Sequence, residues 1–376
     1  MSDAPFSGSY DPADVTFLLR PVDVAFTDVT EKERLIQSGA RHYSELLSPE
    51  AVPDAAYLAL FREALARNAA RLHGDVATLA ARAVERHGRA LRILSLARAG
   101  TPVGVLLHRR LRALGVDSVH YSLSVVRGRG VDAEALRRVA RRHGTGHALF
   151  VDGWTGKGAI AAELRRSVPA TGFDPELAVV ADPAGCADLA ATVDDYVLPS
   201  GLLNGIVSGL VSRSVTGPEH VPPGALHACR FQAEHASDDL SGAFVRAVEA
   251  APATPGLGTP WTPGTAARAR EALPGLLDGI ARDAGVDDVN RIKPGIAEAT
   301  RALLRRVPDA LYLADADDPE VRPLLHLARA KGVPVRPLAS ARYRAVTVIR
   351  RLGPDGSSAT RGTSAALAPC GTASVR

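Results

Sequence analysis

The feature that most constrains the fold of this chain is an alternation of short apolar runs with helix-like stretches. The runs include LRILSLA (91–97), SVHYSLSVV (118–126), HALFV (147–151) and ELAVVAD (176–182). Between them lie amphipathic stretches such as VGVLLHRRLRALG (103–115), which has helical apolar spacing and a closing glycine. Because parallel strands need a crossover connection, usually a helix, this alternation predicts βαβ units and a parallel sheet. The expected fold class is therefore α/β.

The length of the chain and a segment rich in Pro and Gly predict two domains. A chain of 376 residues is long for a single hydrophobic core. Residues 249–265 are dense in Pro and Gly, which interrupt helices and strands, so we predict a linker there. Residues 1–248 then form the first domain and residues 266–350 a smaller α/β domain. The polar, small-residue segment 351–376 is predicted to be disordered.

Composition excludes several classes of protein. Apolar residues make up 46% and charged residues 23%, as in ordinary globular proteins. No apolar run reaches the roughly 18 residues that span a bilayer, and the N-terminus lacks a secretory signal, so we expect a cytoplasmic protein without a membrane partner. The three cysteines (186, 229 and 370) show neither a metal-binding spacing nor a disulfide framework. A net charge of +4 is weak support for a polyanionic partner.

Three loops that follow predicted strands carry residues suited to phosphate. In open parallel sheets, ligands bind beyond the carboxyl ends of the strands. The loops there are RAGTP (98–102), RGRG (127–130) and DGWTGKG (152–158). Arginines beside glycines, or a glycine-rich turn leading into a helix, offer charge and free backbone amides to an anion. Together the loops predict a phosphorylated ligand.

The loop DGWTGKG matches neither common nucleotide motif. It is not a Walker A loop, because Lys157 is followed by Gly158 rather than by Ser or Thr, and it lacks the dinucleotide pattern Gly-x-Gly-x-x-Gly. Asp152 at the strand end is suited to Mg²⁺ or to a ribose hydroxyl. A tight strand-to-helix turn without a ligand is the alternative interpretation.

The loops, in this order, resemble those of the type I phosphoribosyltransferase fold. More closely, GSYDPADVTFLL (8–19), VLPSGLLNGIVSGLVSRSV (197–215) and DDLSGAFVRAV (238–248) resemble the bacterial StiP-type proteins of tellurium-resistance and stress operons. That resemblance implies a phosphoribosyltransferase-like domain followed by a Pelota-like RNA-binding domain. In the second segment, Asn204 and Arg213 either line the site of the second substrate or belong to an irregular covering loop.

The resemblance to phosphoribosyltransferases also implies roles for individual residues. The substrate would be phosphoribosyl pyrophosphate with Mg²⁺, and the product a nucleoside-like metabolite. Gly153 stands where the family pattern has a second acid, and the loop is two residues shorter than usual. The implied catalytic residues are Arg98, Asp152 (also the metal ligand), Arg127 and Arg129, and the implied phosphate contacts are Ala99, Gly100, Thr155, Gly156, Lys157 and Gly158.

Two alternatives to a phosphoribosyltransferase stay open. StiP-type proteins are also described as cysteine proteases, which need a thiolate beside a histidine. Cys186 follows a DPAG turn, and Cys229 lies between His227 and His235, but neither spacing brings a histidine to the thiol on a regular helix or strand. A cysteine that only fills the core is the simpler interpretation of each. The other alternative is a sensor that binds nucleotides or RNA without catalysis.

The second domain resembles the Pelota-type fold. Residues 290–338 read as helix, strand, helix and strand. In that fold a glycine-led helix start approaches RNA, which here implies contacts from Lys293, Gly295, Glu298 and Arg301. The alternative is a basic helix that only packs on the first domain.

Overall fold

A computed structural model describes residues 6–352. The strands are β1 (Thr16–Leu18), β2 (Arg20–Pro21), β3 (Ala90–Ala97), β4 (Asp117–Val126), β5 (Gly130–Val131), β6 (Ala148–Trp154), β7 (Leu177–Ala181), β8 (Leu189–Thr192), β9 (Ala228–Cys229), β10 (Ile292–Pro294), β11 (Pro308–Leu313), β12 (Val335–Pro337) and β13 (Ala345–Ile349). The helices are α1 (Val29–Gln37), α2 (Ala55–His87), α3 (Gly100–Ala113), α4 (Ala133–His143), α5 (Ala159–Ser167), α6 (Ser241–Ala250), α7 (Pro263–Ala284), α8 (Ile296–Arg305) and α9 (Arg322–Ala330).

The main sheet confirms the predicted α/β class. Its strands run in the order β1-β4-β3-β6-β7-β8, every pair is parallel, and β5 adds an antiparallel hairpin to β4. Both faces are covered, so side chains on opposite faces of one strand are buried alike. In β6, for example, Leu149 and Val151 face one core and Phe150 the other. This two-sided burial explains why the strands read as continuous apolar runs.

The chain reverses direction across the sheet at β3. From β3 it continues to β4 on one side, and from β4 it crosses to β6 on the other side. At such a switch point the loops after the two central strands separate and leave a crevice. The first helix turn after β3 lies close to β6, because a Cβ on Gly100 would be only 2.2 Å from the Val151 carbonyl oxygen. Residues 98–100 and the end of β6 therefore meet, as predicted.

The second sheet lies in the C-terminal part of the chain. Its order is β10-β13-β11-β12; α8 packs on this sheet, and α9 packs on α8 and α2. The sequence predicted β11, β12 and the two helices but not β10 or β13, which are antiparallel neighbours. Strand β10 is only three residues long and contains Pro294, so it carried no strand pattern of its own.

The predicted linker, 249–265, is irregular only over residues 251–262, because α6 extends to Ala250 and α7 begins at Pro263; the irregular part is fixed to the first domain. The Thr254 amide donates to the Ala70 carbonyl oxygen at 3.0 Å, and Trp261 Nε1 donates to Asp182 Oδ2 at 2.9 Å. These bonds hold residues 251–262 against α2 and the end of β7. The predicted disordered tail falls, from residue 353 onward, outside the described residues. Within residues 6–352, none of the helices is long and apolar enough to cross a bilayer.

Candidate functional site

A cavity of about 1220 Å³ lies at the switch point of the main sheet. Its wall on one side is the carboxyl edge of the sheet, with residues 97–99 after β3, Arg127 after β4 and residues 152–161 around the end of β6. The opposite wall is formed by β10 and α8 of the second domain, and α1 contributes a third side. Residues of both domains thus line the cavity.

The cavity wall carries an excess of positive charge. Among the described residues that line it, twelve are Lys or Arg and seven are Asp or Glu, an excess of five positive charges. Like charges held together in a partly desolvated space raise the electrostatic potential and attract anions. The lining therefore suits a ligand with several negative charges, such as a phosphorylated compound.

The start of α5 offers backbone amides to this cavity. Gly158 is its N-cap, with φ of +81°, and no side chain caps the helix. The first amides of a helix have no partner within the helix, and together with the helix dipole they favour an anion. This is where the phosphate loop was predicted.

The Lys157 side chain of the predicted phosphate loop binds the second domain. Lys157 Nζ donates to the carbonyl oxygens of Val289 (2.5 Å) and Ile292 (3.0 Å), so it fastens the second domain to the first. Burial lowers the pKa of Lys157 to about 7, with the nearby cations Lys293 and Arg127 adding to the effect. The predicted phosphate contact from Lys157 is therefore not the arrangement seen.

Thr155 and Gly156 of the same loop are also engaged. Thr155 Oγ1 donates to Asp182 Oδ1 at 2.6 Å and accepts from the Ala184 amide at 3.2 Å. The Gly156 carbonyl oxygen accepts from Tyr343 Oη at 2.7 Å. The Thr155 hydroxyl thus holds the interior of the first domain rather than a phosphate, while the loop backbone still lines the cavity.

Asp152 lies beside charged groups of the second domain. Burial raises the pKa of its carboxyl to about 7, against the opposing effects of Arg301 and of a hydrogen bond from the Gly153 amide. Trp154 Nε1 donates to Glu298 Oε1 at 3.3 Å, and the Arg301 guanidinium lies 4.5 Å from the centre of the Trp154 ring. The end of β6 and the start of α8 therefore build one polar cluster.

The loop after β3 differs from its predicted role. Arg98 lines the cavity, but it forms a buried two-point ion pair with Glu50 (Nη1 to Oε2, 2.8 Å) and also donates to the Val211 carbonyl oxygen at 2.9 Å. Although burial alone raises it, the charge of Arg98 holds the pKa of Glu50 at about 2. Ala99 lines the cavity. Gly100 is not among the described lining residues, and its missing Cβ instead permits the close approach to β6.

The two arginines of the loop RGRG diverge. Arg127 lines the cavity and donates to Asn290 Oδ1 of the second domain at 3.2 Å. Arg129 points elsewhere: it donates to Thr216 Oγ1 at 2.9 Å and pairs with Glu45. The prediction that Arg129 stabilises a leaving group is thus not reflected in its position.

The residues predicted to bind RNA face the same cavity. Lys293, Glu298 and Arg301 line it; Gly295, the N-cap of α8 with φ of +91°, is not among the described lining residues. Burial lowers the pKa of Lys293 to about 8. Two sites that the sequence predicted separately therefore share one space, because α8 packs on the first domain.

The sequence missed Lys32 and Glu50, which also line the cavity. Lys32 lies on α1, and Glu50 lies in the segment before α2. Neither belongs to a strand-end loop or to a recognisable motif. Only the packing of distant segments brings them to the site, so no local signal could have identified them.

Neither of the two described cysteines, Cys186 and Cys229, is among the residues that line the cavity. Cys229 is completely buried, and burial raises its pKa to about 12; its neighbour His227 places Nδ1 2.8 Å from Ser124 Oγ. Cys186 packs beneath Gly158 and donates to the Ala184 carbonyl oxygen at 3.3 Å. No cysteine or histidine belongs to the cavity lining within residues 6–352, and Cys370 lies outside the described residues.

A resident metal centre built from protein ligands is not found among the described residues. They contain no group of three or more His, Cys, Asp or Glu side chains placed to hold a metal ion. Asp152 offers a single carboxylate. Mg²⁺ commonly binds through one or two carboxylates together with substrate phosphates and water, so Asp152 fits an ion that arrives with a phosphorylated ligand.

Comparisons with known proteins identify both parts of the chain. Residues 8–249 match the family described as tellurite-like stress resistance cysteine protease StiP, and residues 275–351 match the PELOTA RNA binding domain. The chain is 40% identical over 365 residues to the cysteine protease StiP of Acinetobacter baylyi, covering 93% of this chain and 95% of that protein.

Two phosphoribosyltransferases of known structure show a distant likeness to this chain. Hypoxanthine phosphoribosyltransferase from Trypanosoma cruzi in complex with IMP is 15% identical, covering 32% of this chain and 69% of that chain with a TM-score of 0.25. The HGPRT-ase of Leishmania tarentolae in complex with GMP is 16% identical, covering 39% and 78% with a TM-score of 0.24. Likenesses of this size carry no weight in assigning a function.

We expect the replacement Asp152→Asn to change how stability depends on pH. The native carboxyl keeps its proton up to about pH 7, whereas an unfolded Asp loses it near pH 4. The native state therefore binds more protons between these values, and Asp152 makes the wild type less stable as pH rises from 4 to 7. Asparagine removes this loss. Its stability advantage over the wild type should grow by up to about 1.4 kcal/mol per pH unit.

Urea unfolding at several pH values between 4.5 and 7 measures this difference. The exposed residue Asp174 provides the matched control, because Asp174→Asn should track the wild type throughout. A difference between Asp152→Asn and wild type that stays constant over this range would contradict the assignment.

Proposed function

The chain belongs to the StiP family, and on that premise we propose that its cavity binds phosphoribosyl pyrophosphate and transfers the phosphoribosyl group to an acceptor. The observation that carries this proposal is the excess of five positive charges at the switch point of a parallel sheet. An open α/β sheet binds its ligand at this place, and the charge matches a ligand with several phosphates. A nucleoside-like product formed in a stress response fits the operon context implied by the sequence resemblance.

The parts of the ligand have candidate contacts along the wall. The free amides at the start of α5 suit the 5′-phosphate, which needs several donors around one anion. Asp152 suits the ribose hydroxyls, and together with the ligand's phosphates it would hold Mg²⁺, which would offset the phosphate charge. Arg127 and Arg301, which also line the cavity, would contact the pyrophosphate.

The proposed reaction is a displacement at the anomeric carbon. The bond from that carbon to pyrophosphate breaks, a bond to the acceptor forms, and pyrophosphate leaves with the bonding electrons. Negative charge grows on the leaving group, so Arg127 and Arg301, fixed by Asn290 and Trp154, would stabilise the transition state more than the ground state. Packing of α8 over the site would exclude water, which otherwise competes with the acceptor.

Calorimetry with phosphoribosyl pyrophosphate tests this function. We expect the wild type to bind the ligand in the presence of Mg²⁺, with weaker binding after chelation. Asp152→Asn should weaken binding at least about tenfold, which corresponds to about 1.4 kcal/mol, while the Asp174→Asn control should bind like the wild type. Absence of any binding heat at millimolar ligand in the wild type would reject the proposal.

A cysteine peptidase is the second candidate, and the comparison with the A. baylyi relative favours it. That protein is named a cysteine protease and is similar to this chain over nearly its full length. Of the two described thiols, Cys186 is the better nucleophile because it lies beneath the cavity loop at the N-terminus of α5, where a helix dipole favours a thiolate. Against it stands the lack of any histidine in the described cavity lining.

A proteolysis assay with casein separates the two candidates. A Cys186 peptidase would be inactivated by iodoacetamide and by Cys186→Ser, whereas Cys229→Ser, the buried matched control, would stay active. We expect no activity with this pattern, since no histidine lines the cavity within residues 6–352. Proteolysis that disappears only in Cys186→Ser would establish the peptidase and displace phosphoribosyl transfer as the main activity.

We also propose that the second domain binds RNA through Lys293, Glu298 and Arg301. The match of residues 275–351 to an RNA-binding domain supports this function. Since these side chains lie inside a cavity lined by both domains, we expect an RNA to reach them with a single-stranded end or a flipped base rather than with a helical stem.

Fluorescence anisotropy with a labelled single-stranded RNA tests the RNA proposal. Affinity should fall as salt rises from 50 to 200 mM, because phosphate contacts release counterions, and Arg301→Met should weaken binding. The exposed Arg112→Met variant serves as the control. No binding at 50 mM salt, or an affinity independent of salt, would exclude it.

A further inference from the structure

Three cations on the cavity wall are not neutralised by carboxylates. They are Lys32 on α1, Arg213 in the irregular segment that precedes β9, and Arg305 at the end of α8. Each lines the cavity. They come from three separate segments of the chain, and only their packing brings them to one region.

The hydrogen bonding of these cations is incomplete. Nη1 of Arg213 and Nη2 of Arg305 are shielded from solvent and find no acceptor within residues 6–352. In the described part of the chain, Arg305 donates through Nε, to Asn204 Oδ1 at 2.6 Å. Lys32 is 6% exposed and forms no ion pair in the described part of the chain. A buried charged donor without a partner normally destabilises a protein by several kcal/mol.

The neighbouring carboxylates are already bound to other cations. Glu33, which is fully buried, forms a two-point ion pair with Arg306 (2.5 and 2.7 Å). Glu50 accepts two bonds from Arg98 and a further one from the Gly205 amide at 3.2 Å. These acids form ion pairs with Arg306 and Arg98, whereas none of the ion pairs in the described part of the chain includes Lys32, Arg213 or Arg305.

The three cations also act on one another. Burial lowers the pKa of Lys32 to about 8, and Arg213, Arg306 and Arg305 add to that effect. Burial likewise lowers the pKa of Arg213 to about 10. Such a group is stable only if the rest of the fold compensates for it, and an anion bound among the three would relieve both the repulsion and the missing hydrogen bonds.

We propose that Lys32, Arg213 and Arg305 form a second anion subsite, which binds a phosphate or pyrophosphate group at a place separate from the loop 155–158. Two unused guanidinium donors and an ammonium match the oxygens of a tetrahedral anion. The subsite rests on the proposed function only for the identity of the complete ligand. The subsite would bind a second anionic group, which either the same ligand or the acceptor would carry.

Calorimetry and thermal unfolding with inorganic pyrophosphate, at constant ionic strength, test the subsite. In Lys32→Met and Arg213→Met, pyrophosphate should bind about 10- to 100-fold more weakly than in the wild type, because one charged partner is lost. Arg213→Lys, which keeps the charge, should recover part of the affinity. The exposed Arg112→Met control should bind like the wild type.

Thermal unfolding without ligand distinguishes a binding role from a structural one. Removal of an uncompensated buried cation should leave the unliganded melting temperature unchanged or raise it, whereas loss of a structural contact would lower it. Affinities within about twofold of wild type in both methionine variants would overturn the subsite, as would failure of the wild type to bind pyrophosphate.

Phosphoribosyl pyrophosphate as a second probe separates the two proposals. If it fails to bind while pyrophosphate still binds through Lys32 and Arg213, the proposed function is wrong and the subsite stands. If it binds and Asp152→Asn weakens it, but the methionine variants bind both ligands normally, the function stands and the subsite is wrong. A loss of affinity for both ligands in the methionine variants would place both groups in one continuous site.

Discussion

The packing of the second domain against the carboxyl edge of the main sheet is the interaction on which the site depends. Lys157 donates to two carbonyl oxygens before and within β10, Tyr343 donates to Gly156, and Trp154 donates to Glu298. These contacts turn an open crevice into an enclosed space. The same contacts engage the loop 155–158. Its Lys157 side chain therefore joins the two domains, while the backbone amides at the start of α5 stay available to a ligand.

Because the two domains pack together around the site, its excess positive charge affects the stability of the protein. Coulomb interactions strengthen as water is removed, so five excess positive charges in a shared cavity repel one another more than they would at the surface. Local ion pairs such as Arg98–Glu50 and Arg306–Glu33 reduce this repulsion without removing it. Stability given up in this way is typical of functional sites, and it is the physical basis of the proposal that both domains hold an anionic ligand.

The sequence predicted the central strands and the loops after them because these signals are local. The apolar runs at β3, β4, β6 and β7 predicted the sheet, and its topology brought Arg98 and Asp152 to one edge. The sequence could not predict that Lys157 and Arg98 bind other residues of the protein, since their partners Val289 and Glu50 are distant in sequence. For the same reason the sequence treated the ligand loop and the RNA-binding helix as two sites, although α8 packs them into one.

Hydrogen–deuterium exchange with and without inorganic pyrophosphate tests the shared cavity most directly. If both domains hold the anion, amides in residues 29–37 and residues 296–306 should gain protection together, with the same dependence on pyrophosphate concentration. The first segment belongs to the first domain and the second to α8. Protection confined to one segment, or absent from both at saturating pyrophosphate, would contradict a composite anion site.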